Sequence, residues 1–468
     1  MIETLRHTVI KKTPCFSSET ISSQLHDRVN KMQLDPKRRP RKEFGRESWY
    51  PYYAGFNENF VDKILDAVGL PLGSIILDPW NGSGTTTTVA ALKGYKSVGI
   101  DINPVTTLVS SAKLVRFVDA ENVHMLSQRI AEEAKMACFS STEDDPLREW
   151  ISGDAVDLYR SIERLILSDL SFNGDNGEDI YISSVVEALT PLKSFLFLAL
   201  MRASRSLASI RETSNPAWVR PNQLIPFTLK KEELTSKWIE IVIKMASDLK
   251  TTHVEHDMGS KILQGDARAI PLPDGNIDLV LTSPPYCTRL DYVVNTSFEL
   301  AALGIGSQNE QYNILRRNCM GTPLSRRDVI IDLNDCPISI QKVLEKVRHH
   351  SSKASQSYYF KTYAQYFEDA VAASREIFRI LRPGGIAILV LQDSYYKDIH
   401  IDLPELWIDI ARHIGFLASE LQSLNIGKSI AQSNRRSTIY RSNTLYREAV
   451  VLLVKNGDHL ETFGGTQK

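Results

Sequence analysis

Past the middle of the chain an apolar run, Asp278 to Thr282, leads directly into Ser283-Pro284-Pro285-Tyr286. A strand running into two prolines is costly to explain structurally, because proline offers no ladder donor and fixes φ just past the sheet. Chemically the set makes sense. An amino group on cytosine or adenine has its lone pair delocalised into the ring and is a poor nucleophile. The Ser283 hydroxyl and a carbonyl before or between the prolines can accept its two N–H bonds. That draws the nitrogen toward tetrahedral geometry and frees the lone pair for in-line attack on a sulfonium methyl. Carbonyls held by proline need little ordering during reaction. Tyr286 can stack on a base that has left its duplex.

A second constellation lies upstream, at Asp78-Pro79-Trp80-Asn81-Gly82-Ser83-Gly84-Thr85-Thr86. A glycine turn between strand and helix lets a ligand approach the backbone and exposes the amides of the helix N-terminus. The run lacks both the GxGxxG fingerprint and the P-loop Gly-Lys-Ser/Thr, which disfavours a dinucleotide or ATP. An acid at the strand end suits a cationic amino-acid moiety instead. Asp101 closes the next strand, where a carboxylate can accept two ribose hydroxyls. Asp266, in Gly265-Asp266-Ala267, can accept from an adenine amino group. Gly153-Asp154-Ala155 repeats the tripeptide, but Asp266 is preferred because it follows a strand and closely precedes Ser283.

These residues need a sheet to carry them. Ser74–Leu77, a helix over Thr85–Lys93 closed by Gly94, and Ser97–Ile102 read as a β-α-β unit, preceded by a helix over Asn57–Val68 capped by Asn57 and ended by Gly69. Further strands are expected at Ile262–Gly265, Ile277–Leu281, Gly385–Leu391, Ala418–Leu421 and Ala449–Val454, with helices over Phe367–Leu381 and Leu403–Ile414. Such alternation predicts a parallel sheet with helices packed on it. Residues 1–45 read as an N-terminal arm or loosely packed lead-in, and 46–115 as the first part of a catalytic domain. Residues 116–255 form a helical insertion, with long helical stretches at Glu121–Ala137, Ser184–Ile210 and Glu232–Leu249. Residues 256–460 are the second part of the catalytic domain, interrupted at 288–360 by a polar, basic stretch of little periodicity.

Composition narrows the classes. A chain of 468 residues with 43% hydrophobic and 24% charged residues reads as globular. No apolar run approaches the roughly 20 residues a membrane span needs, and the start lacks a signal peptide's apolar region, so a cytoplasmic protein without a membrane is expected. Five scattered cysteines without a CxxC pair argue against disulfides and a zinc site, and no metal is expected. A net charge of -1 gives no global sign of a polyanion, so a nucleic-acid reader would need clustered basic residues. Lys37-Arg38-Arg39, Arg316-Arg317, Arg326-Arg327, Lys346–Lys353 and Arg435-Arg436 are such clusters. Arg202, Arg205, Arg211, Trp218 and Arg220 offer a rival set within the insertion.

Together these motifs resemble the S-adenosylmethionine-dependent amino-methyltransferases of DNA, whose pattern is (Asp/Asn/Ser)-Pro-Pro-(Tyr/Phe/Trp). The resemblance covers roughly 45–115 and 255–455. It implies an α/β fold: a Rossmann-like class I methyltransferase with a mostly parallel seven-stranded sheet, its last strand antiparallel, carrying a large helical insertion. It implies S-adenosyl-L-methionine as cofactor, held by Asp78, Trp80, Gly82, Gly84, Thr85, Asp101 and Asp266. Trp49–Phe56, with Tyr53, resembles the segment closing over the methionine end. Ser283, Pro284, Pro285 and Tyr286 are then the catalytic set. Ser at its first position is the form more usual for N4-cytosine enzymes, so cytosine N4 is favoured over adenine N6. Double-stranded DNA and a separate restriction endonuclease are the implied partners. The rivals are an RNA base or protein-glutamine methyltransferase and a non-catalytic cofactor-binding regulator. C5-cytosine chemistry needs a cysteine nucleophile, usually after proline. Cys287 follows Tyr286 instead, and reads as a bystander.

Overall fold

Apolar residues alternate in period two along the central strands, and each phase buries a different face. In the computed structural model, Ile76, Leu279, Leu281, Ile386, Ile388 and Val390 line one face, and Leu77, Val280, Ala387, Leu389 and Leu391 the other. The structure describes residues 18–32, 34–37, 44–52, 55–137, 139–168, 186–211, 219–222, 231–251, 259–288, 290–326, 335–426 and 446–456.

Seven strands form the main sheet: β1 (Ile75–Asp78), β2 (Lys96–Asp101), β3 (Lys261–Gln264), β4 (Ile277–Thr282), β5 (Leu381–Gln392), β6 (Phe416–Ile426) and β7 (Tyr446–Lys455). Their spatial order is β6-β7-β5-β4-β1-β2-β3. The pairs β1·β2, β1·β4, β2·β3 and β4·β5 are parallel, while β7 runs antiparallel to both β5 and β6. This is the expected class I methyltransferase sheet, antiparallel last strand included. The chain leaves β1 in one direction and β4 in the other, so the order reverses between them. Parallel sheets hold ligands at such a point, beyond the carboxyl ends of the strands.

One face is covered by helices Glu58–Val68 and Thr85–Leu92. Asn57 caps the former by accepting from the Phe60 amide at 2.9 Å, and Gly69 ends it with φ 64°. The other face is covered by Ile338–His349, Phe360–Ile380 and Leu403–Ile414.

Three regions differ from the sequence reading. Where an arm is expected, Ser18–Asn30 is a helix that seats Leu25 and Val29 on the first face, and His26 lies 3.0 Å from the Ser419 hydroxyl of β6. Leu25 and Val29 are the only buried side chains among the described residues of that helix, too few to give a clear period. Second, the insertion contains a helix the sequence reading passes over, Gly153–Leu167, whose buried face includes the charged Arg160 and Glu163. Asp154 lies in the first turn of that helix and is exposed, whereas Asp266 follows a strand of the sheet. Third, the stretch after Tyr286 is largely helical, with Tyr292–Asn295, Ser297–Ala302, Glu310–Asn318 and a π-turn at Ser355–Tyr359 running into Phe360–Ile380. Short helices joined by tight turns leave no long period to detect.

The insertion does not stand apart from that stretch. Its helices share one core with Pro104–Lys113 and with Val293, Phe298 and Leu300. Trp150 meets Phe298 edge-on at 5.5 Å, and Arg160 donates to the carbonyls of Ala301 and Ala302 at 3.2 and 2.7 Å. Trp49 ties the entry segment to the same block through its indole N–H to Asp248, 2.9 Å.

Candidate active site

The carboxyl ends of β3, β2, β1 and β4 lie side by side, which brings Asp266, Asp101, Asp78 and Ser283 along one edge. Local bonds stitch the row together. The Gly265 amide donates to the Asp101 carbonyl at 2.9 Å, the Asn81 amide to the Ile100 carbonyl at 2.9 Å, and the Thr282 hydroxyl to the Asp78 carboxylate at 2.5 Å.

Asp78 is 3% exposed and also accepts from the Trp80 amide at 3.1 Å. Burial pushes its pKa up to about 6 against the pull of these hydrogen bonds. Asp101 accepts from the Gly82 amide at 2.8 Å and the Asn103 amide at 2.9 Å, and burial raises it as well. Among the described residues no ion pair to either acid is formed, and a buried anion without a counter-charge is costly. Those two acceptors fit a ligand carrying an ammonium group beside ribose hydroxyls.

The turn between them is shaped for close approach. Gly82 and Gly84 both have positive φ, 49° and 81°. A Cβ on Gly82 would lie 2.6 Å from the Tyr52 ring, and one on Gly84 the same distance from the Ser110 side chain. Thr85, buried, opens the following helix with its hydroxyl 3.5 Å from Glu47. Trp80 packs edge-on to Trp407 at 6.2 Å. Tyr53 lies outside the described residues. Its neighbour Tyr52 takes the place above Gly82, half-buried near Asp101, Tyr292 and Cys319.

Asp266 is spoken for more fully than its sequence suggests. Both its oxygens accept from Arg268, at 2.9 Å to Nε and 2.5 Å to a terminal nitrogen. Arg268 reaches on to Asp369 at 2.6 Å and to the Asn318 carbonyl at 2.8 Å, and Arg326 takes the same Asp369 at 2.6 Å.

At the end of β4 the Ser283 hydroxyl donates, with the Val390 carbonyl at 3.2 Å and the Tyr286 hydroxyl at 3.3 Å as acceptors. Its lone pairs therefore remain for a substrate N–H. The Tyr286 hydroxyl donates in turn to Glu448 on β7 at 3.4 Å. The Pro285 carbonyl is taken by the Tyr366 hydroxyl at 2.9 Å, and Tyr366 accepts from the Trp407 indole at 3.3 Å. That bond anchors the loop and leaves the Ser283 and Pro284 carbonyls as the substrate-facing candidates. Cys287 is buried, with its carbonyl held by Ser394 at 2.7 Å.

Glu448 and Tyr366 escape the sequence reading, and Tyr52 enters it only as part of the Trp49–Phe56 segment. An acid two residues before the apolar Val450, in the same strand phase, was the available signal for Glu448. Several arginines considered for nucleic acid prove to be internal struts. Arg316 pairs with Asp291 at 2.6 Å, Arg326 with Asp369, and Arg205 with Glu299 at 2.6 Å. Arg211, Arg220 and Arg317 are exposed. Arg38, Arg39, Trp218, Arg327, Arg435 and Arg436 lie outside the described residues.

Such a sheet, with acids closing β1 and β2 and Ser-Pro-Pro-Tyr closing β4, defines a Rossmann-like class I methyltransferase, whose cofactor is S-adenosyl-L-methionine. Residues 18–109 match the family described as "DNA methylase". The chain is 23% identical over 469 residues to the type II methyltransferase M.BsoBI of Geobacillus stearothermophilus, covering 89% of this chain and 84% of that protein. It is 22% identical over 414 residues to M.AvaI of Anabaena variabilis, covering 81% of each. A shorter match, 37% over 68 residues, is to M.MjaII of Methanocaldococcus jannaschii, covering 14% of this chain and 13% of that one. With the Ser-Pro-Pro-Tyr site, these likenesses support an amino-methyltransferase family of this type. Among the described residues no helix is long and apolar enough to cross a membrane.

Proposed function

We propose that this protein is a site-specific DNA methyltransferase that methylates the exocyclic amino group of a flipped base, with cytosine N4 as the favoured target. The observation that carries this reading is the hydrogen-bond polarity of Ser283. Its single proton has the Val390 carbonyl and the Tyr286 hydroxyl as alternative acceptors, so the oxygen presents lone pairs to an incoming amine. The likeness to M.BsoBI and M.AvaI supports double-stranded DNA as substrate, and their type II naming supports a separate restriction endonuclease as partner.

Bound at the switch point, S-adenosyl-L-methionine supplies an electrophilic methyl group. Asp78 would hold the ammonium end and Asp101 the ribose hydroxyls, while Gly82 and Gly84 would let the turn lie close; Asp266 would take the adenine amino group only by giving up part of its bonding to Arg268. Ser283 and the Pro284 carbonyl accept the two N–H bonds of the target amine and orient its lone pair. Tyr286 stacks on the ring, held in place through its hydroxyl. Ser283 carries no charge, which suits an amine that needs orienting more than deprotonation in the ground state.

Incubation of DNA with isotopically labelled cofactor, followed by nucleoside mass spectrometry, tests this. N4-methylcytosine is expected, N6-methyladenine would correct the base, and no transfer to any DNA despite cofactor binding would overturn the reading. In the same assay Tyr286→Ala abolishes transfer while cofactor affinity stays close to that of the parent.

A further inference from the structure

Ser283 and Tyr286 form the first two members of a chain that the Ser-Pro-Pro-Tyr motif does not complete. Ser283 Oγ lies 3.3 Å from Tyr286 Oη, which lies 3.4 Å from Glu448 Oε1. Glu448 comes from the last strand of the sheet, in β7, where it faces Gln392 of β5. We propose that Glu448 is the terminal proton acceptor of the amine methylation, acting on the substrate nitrogen through Tyr286 and Ser283. This rests on the function proposed above.

The chemistry requires an acceptor. As the nitrogen–methyl bond forms from the amine lone pair, the nitrogen becomes positively charged while still holding both hydrogens. One N–H bond must then break, leaving its electron pair on nitrogen as a neutral secondary amine. A neutral serine hydroxyl cannot keep that proton. It can pass it on: Ser283 Oγ takes the amine proton while releasing its own to Tyr286 Oη, and Tyr286 releases its proton to Glu448. The net change is one proton moved from nitrogen to the Glu448 carboxylate, with Ser283 and Tyr286 unchanged. The same negative charge favours the developing positive nitrogen.

The surroundings suit an acceptor. Burial pushes Glu448 up to about 7, offset by its bond from Tyr286, raised further by Asp35 and lowered by Lys37. Asp35 and Lys37 belong to the lead-in segment, whose carbonyls are held by the Asn57 side chain at 2.7 and 2.8 Å. On its own strand the adjacent Arg447 is engaged elsewhere, by Asp402 and Glu420 at 2.6 Å each, and lies 4.0 Å from Asp393 at the end of β5. Glu448 can therefore accept a proton near neutral pH and return it to solvent between turnovers.

Single-turnover methylation, with the enzyme preloaded with S-adenosyl-L-methionine, is to be followed from pH 5.5 to 9 for the parent, Glu448→Gln and Tyr286→Phe. The parent rate is expected to rise with pH and level off above about 7. Glu448→Gln keeps the shape and an acceptor oxygen, so a mere positioning role predicts a near-parental rate. The relay predicts a loss of about ten-fold or more, a profile without that inflection, and unchanged cofactor affinity. Tyr286→Phe, which keeps the ring but cuts the chain, is expected to lose the inflection too, and the double variant to fall no further than the worse single one. A parental rate and pH profile in Glu448→Gln overturns the proposal. So does a loss that Glu448→Ala shows and Glu448→Gln does not. Absence of transfer in the parent enzyme would overturn the methyltransferase reading itself, which is a separate and recognisable result.

Discussion

Asp78 is stabilising for binding and destabilising for the fold. Its carboxyl is raised to about 6 in the folded protein by burial, above the ordinary value near 3.8 that an unfolded chain would show. The folded state thus holds that proton more tightly. The stability this group contributes is fully present below pH 4 and is lost as pH rises through 6. Asp78→Asn, which keeps the bonds from Thr282 and Trp80, is expected to raise cofactor-free stability at pH 8 by about 2–3 kcal/mol and to change little at pH 4. Thermal melts at the two pH values check this, and the same variant should bind S-adenosyl-L-methionine poorly. A variant less stable at pH 8 would show that the ionised carboxylate is compensated in the free protein. At this scale the sequence was most readable where a motif met a strand end, as at Asp78, Asp101 and Ser283. It was least readable where function depends on what one side chain does to another. Arg268 fills Asp266 from two residues away, but what holds Arg268 there, Asn318 and Asp369, and what takes the Pro285 carbonyl, Tyr366, are facts of packing between segments 50, 101 and 81 residues apart.

Among the elements, the turn from β1 into helix Thr85–Leu92 places the strictest demands on residue type. Gly73 and Gly84 share a backbone region, with φ 87° and 81°. A Cβ on Gly73 meets nothing within 4 Å, whereas one on Gly84 meets Ser110 at 2.6 Å. Gly73→Ala therefore tests conformational strain alone, about 1 kcal/mol. Gly84→Ala adds the steric conflict, and the expected cost is about 2–4 kcal/mol with weakened cofactor binding. Equal melting-temperature shifts for the two variants would mean that Ser110 yields freely. The strands and the helices Glu58–Val68 and Leu403–Ile414 were legible because each buries one face and carries a cap or a stop. The helix Gly153–Leu167 was hidden because its buried face holds Arg160, Ser161 and Glu163, which break the apolar period that marks a core-facing side.

Arg160 explains that break and shows how the whole molecule is joined. It donates to Asp145 at 2.8 and 3.0 Å, to Glu163 at 2.7 Å, and to two carbonyls that end the Ser297–Ala302 helix. The side chains of Arg160, Asp145 and Glu163 are at most 6% exposed. Arg160→Met leaves two buried acids without their cation, and a loss of about 3–5 kcal/mol is expected, read by chemical denaturation. A variant as stable as the parent would show that water reaches the pair. The insertion at 116–255 and the stretch after Tyr286 looked like rival recognition regions in the sequence because one dimension hides their shared core. Strand β7 binds the molecule together in another way. It fills the gap between β5 and β6, and β6 has no other neighbour in the sheet. A growing polypeptide therefore carries Ser283 and Tyr286 long before it carries the strand that supplies Glu448. Synthesis order thus sets a clock on this protein: the cofactor turn can form early, while the reaction centre is finished only when β7 pairs with β5 and brings β6 into the sheet with it.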